Sequence, residues 1–305
     1  MTALAPWLVA AGAGVLVAGY VWGLSALRAR ARAAAPQDPP RPSDAFEGAE
    51  IDRYMRHIML REIGGPGQKR LKAARVLVIG AGGLGSPLLL YLAAAGVGTI
   101  GVIDHDEVDL TNLQRQIAHT DARIGMPKVF SAEEAMKARN PHLTVRPYHR
   151  KLTEEIAEDL FADYDLIIDG TDSLAARRLA NAVCVKLGKP YLTAAITQWE
   201  GQISLYHPAS GGPCYGCVFP TDPAPGLVPT CAEAGVAGPL PGVLGSMLAI
   251  EAVKWIVGAG EPLRGRMLIY DALFGESRGI GLKPAPDCAV CQGAGAKAGV
   301  KEAGK

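Results

Sequence analysis

The chain opens on an uninterrupted apolar stretch and then changes character. Residues 4–27 read LAPWLVAAGAGVLVAGYVWGLSAL, 24 residues without a charge. At 1.5 Å per residue they would extend about 36 Å as a helix, enough to cross a hydrocarbon core of about 30 Å with some tilt. The pattern therefore predicts an N-terminal transmembrane helix. Arg28, Arg30 and Arg32 follow it and no Lys or Arg precedes it. The positive-inside rule then places the rest of the chain on the cytoplasmic side of the cytoplasmic membrane as a single-pass protein. A cleaved signal peptide fits less well, because there is no basic leader and the apolar run is too long. Pro36, Pro39, Pro40 and Pro42 mark residues 33–48 as a semi-rigid linker.

Beyond the linker, short apolar runs alternate with longer helical stretches. Arg75–Gly80 (RVLVIG) reads as a buried parallel strand. The turn GAGGLG follows at Gly80 to Gly85, then a helix over Ser86–Gly96 with Ser86 as N-cap and Pro87 at its first position. A second strand, Thr99–Asp104, ends in an acid. This strand–turn–helix–strand unit is the pattern of a dinucleotide-type fold. Gly80 allows the tight turn, Gly82 and Gly83 let backbone approach a phosphate, and Gly85 allows close packing. The free N–H groups at the helix start attract anions, and Asp104 stands at the offset where a carboxylate binds ribose hydroxyls.

Past the second strand, Arg115 and Lys128 fall on the side where open sheets bind ligands. Two cations there suit a triphosphate, and a dehydrogenase has no need of them. A third strand, Leu166–Asp169, runs into Gly170, Thr171 and Asp172. Asp172 suits Mg²⁺ bound to phosphates, since that ion takes one or two carboxylates plus substrate oxygens. It could also cap a helix over Leu174–Leu187. Thr193–Pro208 reads as strand, alternating from Gln202 to Tyr206. Gly242–Val257 is an apolar helix, but Glu251, Lys254 and its length make it a buried or dimer-facing helix and not a second span.

Composition narrows the function classes. Apolar residues form 49% and charged residues 20% of 305 residues, which excludes a disordered chain. The formal charge of +1 gives no global field to gather nucleic acid, so no nucleic-acid partner is expected. Of six cysteines, Cys214 and Cys217 form one CxxC pair and Cys288 and Cys291 another. Four thiolates in two such pairs predict a closed, structural Zn²⁺ site. Redox dithiols or disulfides are the alternatives, disfavoured on a cytosolic face. Cys184 is expected in the core, and Cys231 stands alone. The histidines form no recognisable ligand cluster, and His105 beside Asp104 reads as incidental. Residues 293–305 are low in complexity and read as a disordered tail.

Several of these segments together resemble the HesA/MoeB/ThiF group of the ubiquitin-activating E1-like superfamily, over residues 51–292. The resemblance rests on RYMRHIML (Arg53 to Leu60), GAGGLGSP, the DxDxVxxxNLQRQ block, GMPK, DGTD, the CxxC pairs and TCAEAGV (Thr230 to Val236). It implies an α/β, Rossmann-like E1/ThiF-type fold with a mixed sheet. It implies an adenylyltransferase that uses MgATP to activate the C-terminal Gly-Gly of a ubiquitin-like sulfur carrier, with release of pyrophosphate. The molybdopterin-synthase carrier is favoured and the thiamine-pathway carrier comes next. By resemblance Asp104 binds ribose, while Asn112, Arg115 and Lys128 hold phosphates. Asp172 places Mg²⁺, and Arg56 reaches the partner's site in a homodimer. Cys231 lies on a crossover loop and in some relatives takes part in sulfur transfer from a donor such as a cysteine desulfurase or rhodanese. Two readings from other classes stay open here: an NAD-dependent oxidoreductase, and a membrane scaffold that binds without turnover.

Overall fold

The computed structural model describes residues 18–20, 22–23, 46, 48–221 and 235–292. The chain divides into two units, residues 1–41 and residues 42–305. In the first unit only 18–20 and 22–23 are described, as helix. The transmembrane helix expected over 4–27 therefore lies outside the described residues apart from those five. The linker over 33–48, Cys231 and the tail over 293–305 likewise lie outside them, apart from residues 46 and 48 in the linker.

The second unit starts with two helices, α1 (Gly48–Ile58) and α2 (Gly64–Ala73). Alternating elements follow: β1 (Arg75–Ile79), α3 (Gly85–Ala95), β2 (Thr99–Asp104), α4 (Lys128–Arg139), β3 (Thr144–His149), α5 (Glu154–Ala162), β4 (Leu166–Asp169), α6 (Leu174–Leu187) and β5 (Tyr191–Thr197). Then come β6 (Glu200–Tyr206), the single turn α7 (Tyr215–Val218), α8 (Pro239–Val257), β7 (Arg266–Asp271) and β8 (Glu276–Gly281). The eight strands form one sheet in the order β3-β2-β1-β4-β5-β6-β7-β8. The first five run parallel, and β6, β7 and β8 are antiparallel additions.

The parallel strands carry apolar runs because helices cover both faces. Along β1, Val76 and Val78 enter a core shared with α2, α3, α4 and α8. Leu77 and Ile79 enter the opposite core, shared with α5, α6 and α7. The same cover explains β6. Its expected alternation is absent, since Ile203, Ser204, Leu205 and Tyr206 are all buried in succession. At the far edge the sheet emerges from its cover, and every residue of β8 is exposed.

Among the described residues α8 is the one helix long and apolar enough to cross a membrane. It serves here as a core helix: Leu240, Leu244, Leu248 and Ala252 are buried against the sheet. Gly245 meets α3 so closely that a Cβ would overlap Pro87 and the Leu84 carbonyl. The helix starts at Pro239, three residues before the expected Gly242, with a proline in its first turn.

Candidate functional site

The chain leaves β1 toward β2 on one side and returns to β4 on the other. Ligands bind at such a switch point, outside the carboxyl ends of the strands. Here β1 leads into the glycine turn and β4 into the loop Gly170-Thr171-Asp172. The Gly170 N–H donates to Ile79 O at 2.9 Å, and the Gly80 N–H donates to Ile103 O at 2.8 Å. The two loops therefore touch: a Cβ on Gly80 would lie 3.0 Å from the Thr171 methyl. Gly80 holds φ +93°, a conformation that favours glycine.

The helix after the turn starts one residue early. Its N-cap is Leu84, with no side-chain cap, and Ser86 lies inside α3 instead of capping it. The Ser86 hydroxyl turns back to Ala81 O at 3.4 Å. The end is as expected, with Gly96 in the left-handed region at φ 85°.

Asp104 braces the turn. Its Oδ2 accepts from the Ala81 N–H at 2.8 Å and its Oδ1 from the Asp106 N–H at 2.9 Å. The carboxylate keeps further lone pairs for a ribose. Arg115 is half-buried, and donates from Nη2 to Asn112 Oδ1 at 2.7 Å and from Nη1 to Thr111 O at 3.3 Å. A Cβ on Gly83 would lie 3.6 Å from its Cγ, so the guanidinium stem flanks the turn. The Lys128 side chain is 5% exposed and its Nζ bonds Asp106 Oδ2 at 2.7 Å. Burial works against the Asp106 charge, but the Lys128 bond and charge outweigh it and hold this carboxyl below its ordinary pKa. An ATP phosphate approaching Lys128 would share it with Asp106.

Asp172 is exposed and its carboxylate has no hydrogen-bond partner among the described residues. It is not the N-cap of α6; that role falls to Ser173, whose hydroxyl accepts from Ala176 N–H at 3.3 Å. The neighbouring acid is its opposite. Asp169 is fully buried and accepts from Arg177 Nε, Tyr191 OH, Thr193 Oγ1 and both the N–H and hydroxyl of Thr171. Of the two acids of DGTD, Asp172 alone is free for a cation. The donor set fits Mg²⁺, which takes few protein carboxylates when phosphates supply the rest.

Two buried groups at this site carry no signal in the spacing of the sequence. One is the Asp169–Arg177 pair. The other is His119, whose Nε2 sits 2.9 Å from Ala81 O and whose Nδ1 sits 2.9 Å from the Ser131 hydroxyl. Burial lowers the His119 pKa, and the bond to Ala81 O offsets this only partly. The neutral ring donates from Nε2 to Ala81 O, and the Ser131 hydroxyl donates to Nδ1. With Asp104 on its N–H and His119 on its carbonyl, Ala81 is held from both sides.

Asp104, His105 and Asp106 bring three possible ligand atoms together, which the sequence did not suggest. Asp104 is already engaged with two amides and Asp106 with Lys128, and the group is largely exposed. Arg56 projects from α1, exposed, with no ion pair to any described residue. Nearby Glu62 pairs instead with Arg61, at 3.2 Å.

The four paired cysteines converge. Cys214–Cys217, Cys214–Cys288 and Cys217–Cys291 sulfurs stand 3.7, 3.6 and 3.5 Å apart. A tetrahedron of Zn–S bonds of about 2.3 Å has edges of about 3.8 Å, so the donor set fits one zinc ion. Asn181 of α6 fixes this knuckle through the Tyr215 N–H, at 2.9 Å. Cys184 is buried apart from the four, and burial pushes its thiol well above the ordinary range.

Comparison with known proteins gives the family and the fold. The model of the ThiF family matches residues 54–290. A Thermus thermophilus protein named sulfur carrier protein adenylyltransferase is 46% identical over 79% of this chain and 91% of its own length. A Mycobacterium tuberculosis protein named probable adenylyltransferase/sulfurtransferase MoeZ is 49% identical over 80% of this chain. An Anopheles gambiae protein named adenylyltransferase and sulfurtransferase MOCS3 is 47% identical over 79% of this chain. This chain spans 63% of the mycobacterial protein and 55% of the mosquito protein, both longer. Among solved structures, Escherichia coli MccB with MccA-N7isoASN matches at TM-score 0.70 and 22% identity, over 78% of this chain and 74% of that one. PaaA matches at TM-score 0.68 and 23% identity, over 92% and 90%. These two share the fold. With the family model covering all eight strands, and the glycine turn, DGTD loop and cysteine pairs all in place, the chain belongs to the ThiF family.

Proposed function

We propose that this chain adenylates the C-terminal glycine of a ubiquitin-like sulfur carrier, with MgATP as the second substrate. The uncommitted carboxylate of Asp172 carries the reading, because it leaves one acid free for a cation on the loop that touches the glycine turn, and Arg115 flanks the same turn. An NAD site needs the turn and Asp104 but neither Arg115, Lys128 nor a free second acid.

Asp104 receives the ribose, and the N–H groups of Gly82 and Gly83 in the turn face the phosphates. Arg115 and Lys128 neutralise the charge of the triphosphate, which dominates phosphoryl-type transfer. Asp172 would hold the Mg²⁺ that accompanies ATP, and the ion would supply neutralising charge at the phosphate oxygens. The carrier's terminal carboxylate is ionised at neutral pH, so no general base is needed. Its oxygen forms a bond to the α-phosphorus as the bond to pyrophosphate breaks. The products are an acyl-adenylate and pyrophosphate.

A small pocket with room for about one water lies between the sheet and α7, lined by Arg177, Thr193, Ser204, Tyr206, Tyr215 and Phe219 among others. A carrier of the molybdopterin-synthase type is the favoured substrate and a thiamine-pathway type the alternative. Zinc in the Cys214, Cys217, Cys288, Cys291 set is structural, since four thiolates leave no open position. A homodimer completed by Arg56, a sulfur donor such as a cysteine desulfurase or rhodanese acting with Cys231, and an N-terminal cytoplasmic-membrane anchor with the enzyme on the cytoplasmic side complete the proposal.

Hydroxylamine trapping tests it. The full-length chain with ATP, Mg²⁺ and small proteins ending in Gly-Gly should give a C-terminal hydroxamate on one carrier, dependent on ATP. Hydroxamate on none of them, from folded protein, counts against the reading.

A further inference from the structure

Arg177 lies on the first full turn of α6 with a side chain only 6% exposed. It joins three pieces of backbone. Its Nε donates to Asp169 Oδ2 at the end of β4, at 3.1 Å. Its Nη2 donates to Thr171 O at 2.8 Å and to Ala194 O of β5 at 3.0 Å. Asp169 completes the frame from the other side, with Oδ1 accepting from the Thr171 N–H at 2.9 Å and from its hydroxyl at 2.7 Å. Oδ2 also takes Tyr191 OH at 2.9 Å and Thr193 Oγ1 at 3.1 Å.

Both peptide groups flanking the Thr171 α-carbon are thereby fixed. The second of them contains the Asp172 nitrogen, so the backbone that carries the Asp172 carboxylate starts from a pinned peptide. Asp172 itself is held by no side chain among the described residues. Its direction therefore depends on this frame. A buried ion pair of this kind is weak grounds for added stability, because desolvation consumes most of the attraction. Its geometric consequence is the clearer one: Arg177 ties the DGTD loop to β5.

We propose that Arg177 is a positioning residue for adenylation: acting through Asp169 and the Thr171 carbonyl, it aims the Asp172 carboxylate at the Mg²⁺–triphosphate. The inference rests on the adenylyltransferase reading. A ligand's outer partners typically change metal affinity by about 10- to 100-fold when removed. Lysine at this position keeps the charge but cannot span Thr171 O, Ala194 O and Asp169 together.

The test titrates free Mg²⁺ in carrier-dependent ATP–pyrophosphate exchange, using the full-length chain and its Arg177→Lys variant. The expected result is a rise of about tenfold or more in half-saturating Mg²⁺, with the carrier KM within about twofold of wild type. Thr171→Val covers the case in which Arg177→Lys does not fold. It keeps shape and both backbone bonds and removes only the hydroxyl bond to Asp169, so a smaller shift in the same direction is expected. Unchanged Mg²⁺ dependence in the folded variants overturns the inference, and so does a raised carrier KM at unchanged Mg²⁺ dependence, which would make Arg177 a direct substrate contact. Absent exchange in wild type removes the adenylyltransferase reading itself and is thus distinguishable from failure of the positioning role.

Discussion

Gly85 packs directly on the carbonyl of Gly80: a Cβ at Gly85 would overlap that oxygen and lie 2.9 Å from the carbonyl carbon. The obstacle is backbone and cannot swing aside. Gly85→Ala must open the turn or shift α3, at a cost of about 3 kcal/mol. Chemical denaturation should show that loss, with ATP-dependent stabilisation lost as well. An alanine variant as stable as wild type, still protected by ATP, would mean the turn is looser than the structure indicates.

The two acids of DGTD should separate stability from activity. Asp172→Asn removes an exposed, unpartnered carboxylate, so stability should stay within about 0.5 kcal/mol. Exchange activity should drop by about 10²- to 10³-fold with the loss of a charge-stabilising group. Asp169→Asn leaves Arg177 buried without its counter-ion and should lower stability by about 3–5 kcal/mol. Denaturation midpoints and exchange rates on both variants check this contrast; equal stability losses would refute it.

His119 gives the protein an acid-side weakness. Burial holds its folded pKa below the ordinary value of 6.5, so the folded state favours the neutral ring. A depressed folded pKa means that this contribution to stability is complete above about pH 6.5 and is lost as the pH falls below it. His119→Gln retains a donor for Ala81 O and cannot titrate. Urea midpoints at about pH 7.5 and pH 5.5 should differ less in this variant than in wild type. A residual difference is expected from His207, whose pKa burial also lowers. Identical pH slopes in the two proteins would contradict the role given to His119.

Zinc content should follow the four converging cysteines and no others. Wild type should carry about one zinc per chain. Cys288→Ser should lose it and melt at lower temperature, since the knuckle ties α7 and the residue before it to the chain's last described residues. Cys184→Ala should keep its zinc, because that thiol stands outside the cluster. Metal analysis with thermal unfolding decides; full zinc in Cys288→Ser would break the assignment.

Much of this was legible in the sequence where local pattern and burial agree. Thr99–Asp104 and Leu166–Asp169 are strands over the residues expected, because parallel strands covered on both faces must be apolar throughout. The cysteine pairs were legible because the spacing within each pair is itself the ligand geometry. Helix starts were less so. Ser86 has good capping chemistry, yet the turn's own closure starts the helix at Gly85. Least legible was the frame around Asp172. Asp169 meets Arg177, Tyr191 and Thr193 at separations of 8, 22 and 24 residues, and His119 meets Ala81 at 38. No periodicity encodes such pairings; the sheet order that brings β4 beside β5 creates those of Tyr191 and Thr193, and the loop after β2 folding onto the glycine turn creates that of His119.

The most direct measurement is exchange of radiolabelled pyrophosphate into ATP by the full-length chain, with each small Gly-Gly-terminated protein offered in turn. The account predicts exchange with one carrier and its loss in Asp172→Ala. Folded, zinc-loaded protein that binds ATP but exchanges with no carrier would contradict it.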